Sequence, residues 1–141
     1  MRILGPLVGL AFLALAAPIA RAGDHDAEKS AARAAAESWL KLVDAGSYAG
    51  SWTTAASLFK SHVDQATWVQ QVGAVRGPMG KLGSRAFTSA TYATSLPGAP
   101  DGEYVVLQYQ ASFDHKASAV ETITPMKDKD GAWRVSGYFI R

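Results

Sequence analysis

The chain has 141 residues, with 14 basic and 12 acidic side chains and no cysteine. Without cysteine it can hold neither a disulfide framework nor a thiolate site, even in an oxidising compartment. Its length suits one hydrophobic core rather than several.

Residues 1–22 have the pattern of a secretory signal peptide. Arg2 supplies the positive start, residues 3–17 are uncharged and mostly apolar, and Ala20-Arg21-Ala22 gives a small-x-small cleavage site. A membrane anchor is the alternative, but the apolar run is shorter than the roughly 20 residues that span a bilayer. We therefore expect cleavage after Ala22, a periplasmic or secreted location, and no membrane span in the remaining chain.

Removal of this segment changes the charge balance. Arg2 and Arg21 leave with it, so residues 23–141 carry twelve basic and twelve acidic side chains and a formal net charge of zero. A neutral chain without a basic cluster gives no reason to predict a nucleic-acid partner. We expect residues 23–141 to form a single domain.

The first half of this domain has helical periodicity. The pattern predicts a helix over residues 27–45, with Asp26 as its N-cap. Ser47 predicts the start of a second helix. Asp64 predicts the start of a third, which Gly77-Pro78 ends. The apolar side chains predicted for one face of the second helix are Tyr48, Trp52, Ala55, Ala56 and Phe59.

From Ser84 onward the apolar residues alternate, which is typical of strands. Strands are predicted over residues 84–95, 103–113 and 117–126, and from Trp133 to the end. Helices followed by strands favour an α+β fold, with helices packed on one face of a curved four-stranded antiparallel sheet.

In the last strand, simple alternation predicts two opposite faces. Trp133, Val135 and Phe139 would share one face of the sheet. The other face would carry Arg134, Ser136, Tyr138 and Ile140.

The sequence contains no strong catalytic or cofactor-binding motif. The glycine-rich segment 76–85 fails the P-loop pattern, because Val75 and Leu82 stand where a glycine and a hydroxyl residue are required. It reads as a helix exit, with an anion site of Arg76, Lys81 and Arg85 as the alternative. Three histidines, at positions 25, 62 and 115, are scattered, so we expect neither a metal nor a cofactor.

Glu121 lies in the middle of a predicted strand, on the same face as Ala119 and Ile123. An unpaired carboxylate on an apolar face holds its proton more tightly than in water, which suits a general base. The alternatives are an ion pair with Arg85 or Arg134, or an outward-facing position.

A set of segments spread along the chain carries a family resemblance: 39–52, 59–60, 76–80, 97–104, 121–122 and 130–138, with Trp68 and Arg85. Together they resemble a bacterial family, the domain of unknown function number 4019. The resemblance extends over nearly all of residues 23–141. It implies a small exported protein of Gram-negative bacteria, with a fold similar to the cystatin-like, nuclear-transport-factor-like (NTF2-like) cone. It implies no catalytic residues.

The favoured function is a non-enzymatic module that binds a small molecule or a protein partner through the concave or open face of the sheet. A cone-fold enzyme of the isomerase or dehydratase type is the alternative, with Glu121 as base and Tyr109 or Tyr138 as donor to an oxyanion. The candidate ligand contacts are Trp52, Arg76, Arg85, Tyr109, Trp133, Arg134 and Tyr138. A third alternative is a homodimer formed through a sheet face with Thr88, Ala90, Tyr92 and Thr94.

Overall fold

The computed structural model describes residues 24–141, so the predicted signal peptide over residues 1–22 lies outside the described residues. Within residues 24–141 four helices precede four strands, which confirms the α+β class. The elements are α1 (Asp26–Asp44), α2 (Tyr48–Thr53), α3 (Ser57–His62), α4 (Gln65–Met79), β1 (Leu82–Ala93), β2 (Tyr104–Phe113), β3 (Lys116–Lys127) and β4 (Trp133–Ile140).

The strands form one antiparallel sheet in the order β1-β2-β3-β4. Its inner face packs against the helices, and β2 supplies the buried residues Val105, Leu107 and Tyr109 to that face. The alternation predicted for this strand is confirmed. Helix α1 covers the inner face with Trp39 and Leu40, among other buried side chains. The closing of this sheet into a cone stays a prediction.

Of two helix caps predicted from the sequence, one is confirmed and one is wrong. Asp64 caps α4 as predicted, because its carboxylate accepts a hydrogen bond from the Thr67 N–H at 2.7 Å. The prediction of Asp26 as the cap of α1 is wrong. Asp26 is the first helical residue, and His25 precedes it with a left-handed backbone of φ 46°. The His25 ring stacks on Tyr92, with 3.7 Å between the ring centroids.

The predicted second helix is two short helices, α2 and α3. The helix is interrupted at Ala55 and Ala56, which are fully buried. The Ala56 N–H donates a hydrogen bond to the Val135 carbonyl at 2.8 Å. A bond to a residue 79 positions later in the chain therefore replaces the helical bond at this point. Buried Ser51 in α2 accepts hydrogen bonds from two indoles, at its carbonyl from Trp39 and at its hydroxyl from Trp68.

Helix α4 continues through Gly77-Pro78 to Met79, so the predicted end is two residues early. Pro78 thus lies inside the last turn of the helix and does not end it. Gly80 then ends the helix with φ 75°, and a Cβ at this position would lie 2.9 Å from the Asp114 Cβ. Both facts require glycine at position 80.

A β-bulge changes the faces of β4. Thr124 pairs with Gly137 but Pro125 pairs with Val135, which leaves Ser136 as an extra residue in the strand. Val135 and Tyr138 consequently both pack on the inner face, while Phe139 points outward and is 75% exposed. The predicted sharing of one face by Trp133, Val135 and Phe139 is therefore wrong for Phe139.

A second bulge lies at Thr88 in β1, between the pairs Phe87–Tyr109 and Ser89–Gln108. Ala90 and Tyr92 pack against the core as a result. The four residues predicted as a dimerisation face thus do not form one exposed face.

We expect Trp39→Ala to destabilise the protein by about 3–5 kcal/mol, because its indole is buried and its N–H bond to Ser51 is lost. Phe139→Ala is the matched control and should lower the free energy of unfolding by less than about 1 kcal/mol. Urea unfolding followed by tryptophan fluorescence and circular dichroism measures both values. Equal losses for the two variants would contradict the assignment of core and surface.

Candidate functional site

Five polar side chains meet on the inner face of the sheet, each from a different element. They are Asp44 at the end of α1, Arg76 in α4, Arg85 in β1, Glu121 in β3 and Tyr138 in β4. We call this group the ion cluster. It lies between α1, α4 and the sheet, where it joins the two layers of the fold.

Arg85 is the centre of the ion cluster because it binds both carboxylates. Its Nε and Nη2 donate to the two Glu121 oxygens at 2.6 and 3.1 Å. Its Nη1 and Nη2 donate to the two Asp44 oxygens at 2.8 and 3.0 Å. Although burial opposes the charge, these bonds raise the pKa of Arg85 above its usual range. Of the two arginines considered as partners of Glu121, Arg85 forms the ion pair and Arg134 does not.

Tyr138 and Arg76 complete the ion cluster. The Tyr138 hydroxyl donates to Glu121 Oε2 at 2.6 Å, and Arg76 Nη2 donates to Asp44 Oδ1 at 2.9 Å. Burial, followed by the charge of Glu121, raises the pKa of Tyr138. Burial opposes the ionisation of Asp44, but its bonds with Arg85 and Arg76 outweigh that effect and lower its pKa.

The geometry gives Glu121 a structural role. Its side chain is fully buried, and its two oxygens accept three hydrogen bonds. Two carboxylates face two guanidinium groups, so the ion cluster is neutral. A general base needs a lone pair that can reach a substrate proton. Glu121 has no exposed atom for that purpose, and this favours the ion-pair alternative over the base.

Asp44 is not identified as a site residue from the sequence, although its position in a helix gives one indication. An acidic residue in the last turn of a helix is opposed by the helix dipole. Such a residue calls for cationic partners from elsewhere in the chain, and Arg76 and Arg85 supply them. The anion site considered from the sequence included Arg76 and Arg85, and both are engaged by these bonds with Asp44. Lys81, its third member, is exposed and lies outside the ion cluster.

The remaining candidate contacts do not join the ion cluster. Arg134 binds Asp130 through two bonds of 2.7 Å at the exposed turn between β3 and β4. Trp52 donates its indole N–H to the Val63 carbonyl at 2.8 Å, and Trp133 is half-buried against the core.

Tyr109 lies beside Arg85 in a separate groove between α1 and β1. Its hydroxyl donates to Glu37 Oε1 at 3.2 Å. Burial, with the nearby charge of Glu37, raises the pKa of Tyr109 to about 12. The phenol is therefore neutral at physiological pH and acts as a hydrogen-bond donor.

The outer edge of β4 is open near its end. Arg141 exchanges both backbone hydrogen bonds with Val120 of β3, at 2.8 and 3.1 Å. In an antiparallel pair the backbone groups alternate in direction, so those of Tyr138 and Ile140 point away from β3. Nearer the start of the strand, the connection between α2 and α3 covers Val135. We call residues 138–140 the β4 edge.

Two grooves flank the β4 edge. The α4 groove, of about 180 Å³, lies between α4 and β4 and includes Trp68, Val72 and Val75. The α3 groove, of about 430 Å³, lies between α3 and the loop that follows β1, and it reaches Phe139. Neither groove is lined by a lysine, arginine, aspartate or glutamate. Large apolar side chains are exposed beside them, since Val75 is 44% and Phe139 75% exposed.

Two further observations concern the whole described region. Residues 24–141 contain no group of three or more histidine, cysteine, aspartate or glutamate side chains placed to hold a metal ion. Among the helices described in that range, none combines the length and the apolar character that crossing a membrane requires.

We expect Glu121→Gln to lower the free energy of unfolding by about 3–5 kcal/mol, because it removes one partner of a buried ion pair. The matched control is Glu103→Gln, whose carboxylate lies 3.6 Å from Lys127 with both side chains partly exposed. That change should remove less than about 1 kcal/mol. Chemical denaturation at neutral pH measures both, and similar small losses would refute a structural role for the ion cluster.

Stability should fall as the pH rises above the ordinary tyrosine pKa of 10.0, because folding raises the pKa of Tyr138 and Tyr109. Their contribution is complete below that pH and is lost as the pH rises through the folded-state values, since the unfolded chain gives up these protons first. Tyr138→Phe should reduce the slope of the free energy of unfolding against pH by at most about 1.4 kcal/mol per pH unit. Urea unfolding across the alkaline range tests it, and identical slopes for wild type and variant would contradict it.

Comparison with known proteins places the chain in a protein family. A model of the family described as Protein of unknown function (DUF4019) matches residues 35–138. This range contains the five residues of the ion cluster and most of each groove. No curated protein matches the chain. Because the match spans well over half of the chain, the protein belongs to this family of unknown function.

Proposed function

We propose that this protein is an exported, non-enzymatic binding module that captures an extended segment of a partner protein along the β4 edge. One observation carries the proposal. Phe139 is 75% exposed in an edge strand, directly between two residues whose backbone groups point away from the sheet. Export rests on the signal-peptide pattern of residues 1–22, which implies a periplasmic or secreted partner.

The backbone of the β4 edge supports strand addition. An exposed strand offers a row of N–H and C=O groups, and a partner strand that pairs with them gains main-chain hydrogen bonds. Proteins that must avoid such pairing protect their edges with charged residues, proline or a covering element. Tyr138, Phe139 and Ile140 carry no charge, and the covered part of the strand ends before them.

The two grooves define what kind of segment fits. Side chains of an added strand alternate between the faces of the sheet. One set would enter the α4 groove against Trp68 and Val72, and the other would enter the α3 groove beside Phe139. The linings are mostly apolar and contain no lysine, arginine, aspartate or glutamate, so the partner segment should be uncharged, with aliphatic or aromatic residues on both faces.

The same geometry gives less support to the enzyme alternative. Glu121 is fully buried and bound by Arg85 and Tyr138, so it offers no free lone pair to a substrate. The hydroxyls of Tyr138 and Tyr109 are already donated to carboxylates, at 2.6 and 3.2 Å. A donor to an oxyanion must be aimed at the reacting atom instead.

The proposal is tested by selecting linear peptides from a phage-displayed octapeptide library against the processed protein. Affinities of the selected peptides are then measured by fluorescence anisotropy. We expect Val75→Lys, which places a charge in the α4 groove, to weaken binding by about tenfold or more. Ile140→Pro should do the same, because it removes an N–H that points away from the sheet and spares the pairing with β3. Gln70→Lys adds the same charge to an exposed position of α4 outside both grooves and is the control.

Amide hydrogen exchange gives a second readout. Peptide binding should slow exchange at Tyr138 and Ile140 more than elsewhere in the sheet. Peptides whose affinity is the same for wild type, Val75→Lys and Ile140→Pro would show that the β4 edge is not the binding surface. If the protein itself sediments as a dimer that Ile140→Pro dissociates, the β4 edge pairs with a second copy of the chain instead of a partner protein.

A further inference from the structure

We infer a second binding site, for a small organic anion with a flat apolar body, in the groove between α1 and β1. This α1–β1 groove has a volume of about 240 Å³ and is lined by Arg33, Glu37, Lys41, Arg85, Phe87 and Tyr109. It lies at β1, whereas the β4 edge belongs to the strand at the other side of the sheet. The inference is therefore independent of the proposed partner site.

Two aromatic rings form one wall of the α1–β1 groove. Phe87 is 39% exposed and meets the ring of buried Tyr109 edge to face, with 5.7 Å between the centroids. The Arg33 guanidinium lies over one face of the Phe87 ring, and the rest of this exposed ring offers a flat ligand an apolar contact surface. This wall supplies the apolar half of the site.

Arg33 supplies the anion-binding half. Its guanidinium carbon lies 4.0 Å from the centroid of the Phe87 ring, and its Nε donates to Glu37 Oε1 at 2.7 Å. Its two terminal nitrogens have no hydrogen-bond partner among residues 24–141. A guanidinium with both terminal nitrogens available forms paired bonds with carboxylate or phosphate oxygens.

Glu37 holds this guanidinium in place. The same Glu37 oxygen accepts from Arg33 and from the Tyr109 hydroxyl, so the carboxylate is bound from the helix and from the sheet. Glu37 uses only the Nε of Arg33, which restrains this partly exposed side chain and leaves its terminal nitrogens to a ligand. A group fixed before binding loses less conformational entropy when the ligand arrives.

The charges around the α1–β1 groove favour an anion. Arg33, Glu37 and Lys41 follow one another at four-residue spacing and therefore share a face of α1. Lys41 is exposed and forms no ion pair within the described residues. Arg85 at the rim belongs to the neutral ion cluster, in which Asp44 and Glu121 balance Arg85 and Arg76. Two cationic groups thus face one carboxylate, which leaves a positive excess.

The dimensions limit the ligand. Pockets for drug-sized molecules have volumes of about 300–1,000 Å³, and the α1–β1 groove, at about 240 Å³, is smaller. One ring that bears one anionic group matches both halves of the site. The anionic group is a carboxylate or a phosphate monoester, because both match the fork of Arg33.

Titration of the full processed protein with benzoate and with phenyl phosphate, followed by amide NMR shifts, tests the inference. We expect saturable shifts at Arg33, Phe87 and Tyr109, and about tenfold weaker binding of benzamide, which has the shape of benzoate without its charge. Tighter binding of one anion than the other identifies the preferred anionic group.

Variants then test the contribution of Arg33. Arg33→Gln should weaken binding of the preferred anion by about tenfold, and Arg33→Lys, which keeps the charge but loses the fork, by several-fold. Lys60→Gln removes a cation from α3, outside the groove, and should leave the affinity unchanged. The inference is overturned if neither anion gives saturable shifts at these residues, if benzamide binds as well as benzoate, or if both Arg33 variants keep the wild-type affinity.

Discussion

The pairing of the Arg85 guanidinium with Asp44 and Glu121 is the interaction on which the rest of the structure depends. It joins the end of α1 to β1 and β3 through four hydrogen bonds. Removing such charges from water costs several kcal/mol for each ion, and the attraction offsets that only when the geometry is good. The ion cluster therefore selects one arrangement of helix on sheet, since any other arrangement leaves a charge buried without its partner.

This constraint extends to the β4 edge through one side chain. The Tyr138 hydroxyl binds Glu121, which requires the ring of Tyr138 to lie on the inner face. Val135 occupies the same face three residues earlier, and the bulge at Ser136 makes both positions compatible. Phe139, the next residue, must then point outward. Its exposure follows from the ion cluster and the bulge together, and so does the surface that we propose for the partner.

The sequence predicts those features that depend on residues close together in the chain. The α+β class, the cap at Asp64 and the alternation in β2 all follow from residues within a few positions of each other. The sequence does not predict the break at Ala56, because it depends on a bond to distant Val135. The bulge at Ser136 is also missed, since alternation assumes a constant period. Glu121 was recognised as unusual, but its partner remained open between two arginines.

The two proposed surfaces differ in chemistry, and the ion cluster adds no net charge to either of them. Its two carboxylates balance its two guanidinium groups, and Arg85 therefore adds little net field to the neighbouring α1–β1 groove. The positive excess there comes from Arg33 and Lys41 on one face of α1, and salt screens their field beyond about 8 Å at physiological ionic strength. The β4 edge has no charged lining, so its affinity must come from backbone pairing and apolar contact. Binding at the α1–β1 groove should weaken as salt is added, whereas binding at the β4 edge should depend on salt only slightly.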